Sequence, residues 1–344
     1  MALRAGAIRF NTDTSQMEIY DGNQWTGILG TSPEQRTGET RMLFMGGTHT
    51  DGSPHLSNKI EFIQVETTGN VVDFGDLLNA KQEGAAVGGP LRAFHFGGDT
   101  QNTDIEFVTF SSQGNAVDFG DPTQASKSGM GCANQTRAVL ALGYQAPASA
   151  RSNVINYITM STTGNAIDFG DFSTASYAGG GFDSPTRGVF ALGSTDAAGY
   201  SNAIEYLTMS TTGNTSDFGD LVMSGVHTQT YSNAVRGVAH GHYQYPASPN
   251  FSNIIEYVTI ATLGNGTDFG DSLRAGYGCA GSSSTRGVSG GGYFANAPTG
   301  ESGGFTNIID YVEIMSTGNA TDFGDLSEKK RHVKGDSNGH GGVR

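Results

Sequence analysis

The chain has 344 residues, 52 of them glycine, and 33 acidic against 19 basic side chains give it a formal charge of −14. With 36% apolar residues it can build a sizeable core and is no disordered polyelectrolyte, and its glycines lack the three-residue period of collagen. The acidity excludes duplex nucleic acid or an anionic membrane as the main partner, two cysteines cannot form a disulfide framework, and no run of 18 apolar residues suggests membrane insertion.

Residues 1–33 lie outside the repeat that fills the remainder of the chain. The start, Met1-Ala-Leu-Arg-Ala-Gly, lacks the apolar core of a secretory signal, so synthesis and assembly in a cytoplasm are expected. From Ala5 onward the pattern reads as two alternating strands around a polar turn, a short β-hairpin ending at an Asp21-Gly22 turn and the sole Trp25. An isolated hairpin is marginal. Its Ile8, Phe10, Ile19, Tyr20 and Trp25 are therefore expected to pack on the rest of the chain, on a partner, or on copies of themselves.

Residues 34–344 are built from a repeat. The tetrapeptide Asp-Phe-Gly-Asp occurs six times, led by Asp73-Phe74, Asp118-Phe119, Asp168-Phe169, Asp217-Phe218, Asp268-Phe269 and Asp322-Phe323. Each copy follows a Gly-Asn pair, and a leading Ile (Ile60, Ile105, Ile155, Ile204, Ile255, Ile309) stands 13 residues before the first Asp in every case. Upstream comes an Arg-led apolar segment such as Arg187-Gly-Val-Phe-Ala-Leu-Gly. The segments alternate or are β-rich, with no sustained 3.6 period, so the fold class is all-β. Each repeat supplies a small-residue inner strand, the Arg-led strand, the Ile-led strand, a Gly-Asn turn and a strand carrying Asp-Phe-Gly-Asp. Four strands in roughly 50 residues is the size of a propeller blade.

In the double glycines Gly46-Gly47, Gly97-Gly98 and Gly290-Gly291 and the closing aromatic strand, this region resembles the kelch repeat, with Phe where kelch carries Trp. The resemblance implies a six-bladed β-propeller of four-stranded blades. The first repeat lacks an inner strand, and Arg331-His-Val-Lys-Gly-Asp-Ser-Asn comes after the last motif. The C-terminal strand is therefore expected to complete the first blade and close the ring.

Nearly all length variation between repeats lies in the connection from the Arg-led to the Ile-led strand, and variable loops on a rigid scaffold are where binding usually sits. These loops carry His49, His55, Tyr144, Gln145, Tyr200, His242, Tyr243, Tyr245, Tyr293 and Phe294. Such residues either bind a sugar or protein by stacking and hydrogen bonding, or simply pin the loops. The Asp-Phe-Gly-Asp motif reads as structural rather than as a kinase or calcium site, with Phe packed between blades, Gly allowing the bend and carboxylates bonding nearby amides. His240 and His242 have chelating spacing but read as exposed loop histidines, so no metal, cofactor or catalytic residue is assigned. A glycosidase carboxylate pair assembled across blades stays open.

The wording of Gly6-Ala-Ile-Arg-Phe-Asn-Thr-Asp-Thr and Glu18-x-Tyr-Asp-Gly-x-x-Trp25 resembles a short module of tail-fibre and other virion proteins of tailed bacteriophages. Joined to the Thr-Gly-Asn-x-x-Asp-Phe-Gly-Asp repeats, it is similar to tail proteins of marine phages, especially those infecting cyanobacteria. The resemblance implies a virion location, attachment to other virion proteins through residues 1–33, a homo-oligomer such as a trimer, and loops that contact a host-surface glycan or protein. The alternatives are a capsid-decoration or tail-assembly adaptor without receptor binding, and an enzyme acting on surface polysaccharide.

Overall fold

A computed structural model describes residues 4–11, 16–27, 39–49, 55–99, 103–145, 150–244, 250–296 and 302–343. It is all-β, with curled antiparallel sheets, one short 3-10 turn at Gly341–Val343 and no α-helix among the described residues. Two compact units, Met1–Gln35 and Arg36–Arg344, make up the chain.

The first unit is a three-stranded sheet, Ile8–Asn11, Gln16–Tyr20 and Trp25–Gly27, rather than the expected two-stranded hairpin. The extra strand follows from the Asp21-Gly22 turn. Asp21 Oδ1 accepts the N–H groups of Asn23 at 2.7 Å and Gln24 at 2.8 Å, which turns the chain back so that Trp25 lands opposite Tyr20. One face packs Arg9 over the Trp25 ring at 4.3 Å and pairs it with Glu18. The other face leaves Ile8 and Phe10 nearly 60% exposed, at 59% and 58%.

The second unit holds six further sheets, each on a four-stranded antiparallel core. The second repeat shows the plan: Ala85–Gly88, Arg92–Phe96, Ile105–Thr109 and Val117–Gly120. In the first repeat the inner strand comes from the other end of the chain. Lys334–Ser337 pairs with Arg41–Met45, Lys334 opposite Met45 and Ser337 opposite Met42, as the sequence leads one to expect. The inner strands touch one another in chain order, and Lys334–Ser337 touches Ala85–Gly88 in turn. Small residues permit this approach, and serine hydroxyls use it: Ser232 Oγ accepts Asp183 N–H, Ser282 Oγ donates to Ser232 O, and Ser337 Oγ accepts Ser282 N–H.

Three splices join each repeat to the next, the first two made six times and the third five, with Asp310 pairing the Arg274 side chain in the remaining place. The Gly-Asn turn clips onto the preceding motif: Gly213 N–H donates to Phe169 O, Thr215 N–H to Asp171 O, and Asp171 N–H to Asn214 Oδ1. The first turn makes the same bonds to the last motif, Gly69 N–H to Phe323 O and Asp325 N–H to Asn70 Oδ1. The motif glycine is required here, because Gly170 has φ +147° and a Cβ on it would lie within 3.0 Å of the Gly213 carbonyl. In the second splice the leading Arg of each repeat lies 4.3–5.0 Å over the aromatic ring of the Ile-led strand. The same Arg donates to a carbonyl of the repeat after its own, as from Arg187 to Ile260 O at 2.9 Å. That ring meets the motif Phe edge-on at 5.8–6.0 Å. The third splice is a buried polar residue after the leading Ile. Glu106 takes Leu78 N–H and Asn156 takes Thr123 N–H, tying down the chain as it leaves the preceding motif. Each apolar cluster accordingly mixes consecutive repeats, and Met42, Phe44 and Ile63 pack with Phe323 and Leu326.

These contacts correct the reading of the motif. Phe74 and its five counterparts are buried, but the carboxylates accept no hydrogen bond among the described residues. The first Asp of all six copies is exposed. The amides are bonded instead by the neighbouring Asn side chain.

The C-terminal turn is locked among the inner strands. His340 Nδ1 meets Asp183 Oδ1 at 2.7 Å and Nε2 meets Gly88 O at 2.6 Å, while Gly342 N–H donates to Asp183 at 2.8 Å. Burial alone would lower the His340 pKa, but the Asp183 and Asp336 carboxylates outweigh it and hold it at about 10.

Candidate functional site

Five repeats admit the chain to the inner strand through a non-glycine residue in left-handed conformation, Glu83, Ser128, Ala178, His227 and His332, at φ 50–59°. Such strain gathers where a fold over-determines its backbone. Around this entry the fifth and sixth repeats raise an aromatic cleft. The sixth repeat has unusually long strands, Gly276–Ser282, Arg286–Asn296, Ser302–Glu313 and Thr321–Arg331. Its Gly290-Gly291-Gly292 segment shifts the register, and Gly292, at φ +109°, lets the strand close over the Tyr277 carbonyl, where a Cβ would overlap it. Past this bend Tyr277 faces Tyr293, and Tyr293 faces Phe305, across three strands. In the fifth repeat Tyr243 bridges to Phe251.

These rings meet. Tyr277 and Tyr293 lie 6.3 Å apart with planes 21° from parallel, and Phe251 lies 6.3 Å from Tyr277 and 5.7 Å from Tyr293, tilted about 30° from each. His227 stacks on Tyr277 at 4.6 Å. With Tyr243, Asn250 and Arg331 they line a cleft of about 430 Å³, within the range of small-ligand sites. The rings are half-exposed, so an apolar ligand face can reach them. Burial lowers the pKa of His227 to about 3, and burial with the His227 and Lys334 charges lowers that of His332 to about 2, so both imidazoles are neutral hydrogen-bonding groups. Burial pushes the Tyr277 hydroxyl up to about 12. No carboxylate lines the cleft among the described residues.

Of the residues singled out from sequence, Tyr243 and Tyr293 meet here. Two others are corrections: His242 and Phe294 are only 2% and 3% exposed and cannot present themselves to a ligand. His242 sits between Thr228 Oγ1 and Glu256 Oε1, and Phe294 follows Tyr293 onto the opposite side of its strand. His240 is equally buried, against Tyr231, with its pKa lowered to about 4 by burial, so neither histidine is an exposed loop group. Tyr245 lies outside the described residues. Tyr144 and Gln145 belong to the third repeat, where Tyr144 packs on Tyr177 at 5.4 Å and Gln145 bonds Ser152. Tyr200 pairs with Ser194, His49 with Lys330, and His55 is exposed beside them. Tyr277, Phe251, His227 and Arg331 escaped the sequence reading. Part of their signal was periodic, since Tyr277 and Arg331 stand six residues after the second Asp of the motif, as Lys127 and Tyr177 do, and His227 and His332 both stand seven after it.

In the N-terminal sheet Ile8 and Ile19 are cross-strand partners on the exposed apolar face with Phe10, whereas Tyr20 and Trp25 pack against each other at 5.5 Å on the other. No group of three or more His, Cys, Asp or Glu positioned to hold a metal occurs among the described residues. No protein-family model matches the chain, and no curated protein matches it.

Proposed function

We propose that residues 34–344 form a closed six-bladed β-propeller of kelch-like plan that binds a carbohydrate through the aromatic cleft. The chain would then be a tail-fibre or tail-tip component of a tailed-phage virion. Ring closure is supported by the splices between the last and first repeats and by the inner strand borrowed from the C-terminus. The observation that carries binding is the set of half-exposed, near-parallel rings Phe251, Tyr277 and Tyr293, because aromatic faces stack on the C–H faces of sugars. A lining without carboxylates among the described residues favours binding over glycoside hydrolysis, which takes two carboxyl groups about 5–10 Å apart. Attachment to the particle falls to the N-terminal sheet, whose Ile8, Phe10 and Ile19 present an apolar face for other virion proteins or sister copies. The virion assignment rests on the wording of residues 6–25 beside the repeats.

The test is binding of the purified chain to host cells and to glycans extracted from their envelope. Tyr277→Ala and Tyr293→Ala should each weaken binding roughly two- to tenfold with unchanged melting. A chain lacking residues 1–33 should keep binding and lose incorporation into particles. Wild-type protein that binds neither cells nor glycans would refute the adhesion reading and leave the adaptor role.

A further inference from the structure

Basic side chains are scarce in this protein, and most have a fixed partner. Six of the 19 are the repeat arginines, and Lys81, Lys330 and Arg274 are buried against Glu106, Glu61 and Asp310. Arg331 differs. Its guanidinium lines the aromatic cleft, 4.9 Å over the Phe305 ring, and no carboxylate pairs with it among the described residues. Its Nε is buried without a hydrogen-bond partner, as are those of Arg41, Arg151 and Arg274, but those three guanidiniums have partners at their other nitrogens. A buried, unpartnered N–H on a cation is costly, and a chain with 14 excess negative charges has acids to spare for it. None of them lines the cleft among the described residues. Glu83 lies outside the lining, 3.9 Å from His332 and paired with Lys127, and the lining imidazole of His227 is neutral, so the guanidinium is the charge that a ligand meets.

We propose that the cleft takes an acidic sugar of the uronic acid class, its carboxylate held by Arg331 and its ring lying on Tyr277 and Tyr293. The proposal rests on the carbohydrate-binding reading above and names the class of sugar. A guanidinium offers two parallel N–H donors, which match the two oxygens of a planar carboxylate. One cation also suits one negative charge. A phosphate ester would bring nearly two charges to a single guanidinium, and a sulfate ester, with one, presents tetrahedral rather than planar oxygens. The neutral imidazole of His227 and the amide of Asn250 remain to bond ring hydroxyls. The volume, about 430 Å³, suits one or two pyranose units rather than a long chain.

The experiment is calorimetric titration of the full chain with trimers of galacturonate, glucuronate and mannuronate, with the corresponding neutral trimers, and with sugar 6-phosphates and 6-sulfates. At least one uronate should bind roughly ten- to a hundredfold more tightly than its neutral counterpart, with affinity falling as salt rises. Arg331→Met should pull that ratio toward one, while Arg331→Lys, which keeps the charge but not the fork, should fall between. Thermal melts check that each variant is folded. Equal binding of acidic and neutral trimers, abolished by Tyr277→Ala, would overturn the acidic-sugar proposal and leave carbohydrate binding standing. Preference for the phosphate or sulfate, or an undiminished uronate preference in Arg331→Met, would overturn it too. Failure of every sugar to bind would bring down both readings.

Discussion

The repeat owes its cohesion to a backbone clip, and two glycines of the third repeat separate the clip from mere backbone strain. Gly170, in the motif, and Gly164, in the turn, have nearly the same conformation, φ +147° and +151°. Beside Gly164 a Cβ meets nothing within 4 Å, whereas beside Gly170 it collides with the Gly213 carbonyl of the next repeat. Alanine at either position costs about 1–3 kcal/mol of backbone strain. At Gly170 the collision also pushes away the turn that makes three hydrogen bonds of 2.7–3.0 Å to the motif. At ~0.5–1.5 kcal/mol each, their loss adds about 2–4 kcal/mol. Guanidinium unfolding should therefore place the midpoint of Gly170→Ala well below that of Gly164→Ala, with Gly164→Ala itself only modestly below wild type. Equal midpoints for the two variants would refute the clip as a source of stability.

Two further predictions concern buried charge. Lys330 and Glu61 form an ion pair of 2.9 Å between the last and first repeats, at 1% and 4% side-chain exposure. Lys330→Met, which strands the carboxylate, should destabilise by about 3–5 kcal/mol, and adding Glu61→Leu should recover most of it; a double variant no better than the single in thermal melts would contradict this. His340 titrates at about 10 in the fold against 6.5 ordinarily, so its ion pairing stabilises fully below pH 6.5 and is lost as pH rises to 10. The stability gap between wild type and His340→Gln, measured by chemical denaturation, should shrink across that window, and a gap that is constant or widens would show that His340 is not the charged partner of Asp183.

What the sequence reveals is what it repeats. The leading Arg, the Ile 13 residues before the motif and the Gly-Asn turn recur because each makes the same contact six times. Strand number and the C-terminal inner strand follow from them. Their partners were less legible. Asn165 and Asn214 look like turn residues, yet they bond amides of the preceding repeat, and the Asp side chains beside those amides do not. Such a contact is periodic in sequence but crosses repeats in space. The cleft was harder to see, because it mixes a variable position of the repeat, shared by Tyr277 and Arg331 with Lys127 and Tyr177, with Phe251 from a loop. Gly290-Gly291-Gly292 adds to this by bending one strand out of register, which sets Tyr293 opposite Tyr277 and Phe305. His242 and Phe294 failed for the converse reason. Loop-like wording hid an alternation that turns each side chain inward, next to a neighbour that faces the cleft.

The placement of charge ties these levels together. Twelve of the 33 acids sit in the six motifs, on the outer strand of each sheet, where the leading Asp is exposed every time. On this strand the Gly-Asn turn of the next repeat already takes the motif's carbonyls and an amide, and the repeated carboxylates keep another chain from pairing with what is left of the edge. Meanwhile the splices use up the leading arginines on carbonyls and aromatic faces inside the repeat array. The fold therefore places negative charge on its exposed outer strands and positive charge between its repeats. At the cleft, whose described lining holds no carboxylate, a single cation is enough to set the sign of the site. A loop surface so constructed can change its ligand by changing one or two residues, since the splices between repeats lie outside it and only local pairings such as His49 with Lys330 cross it.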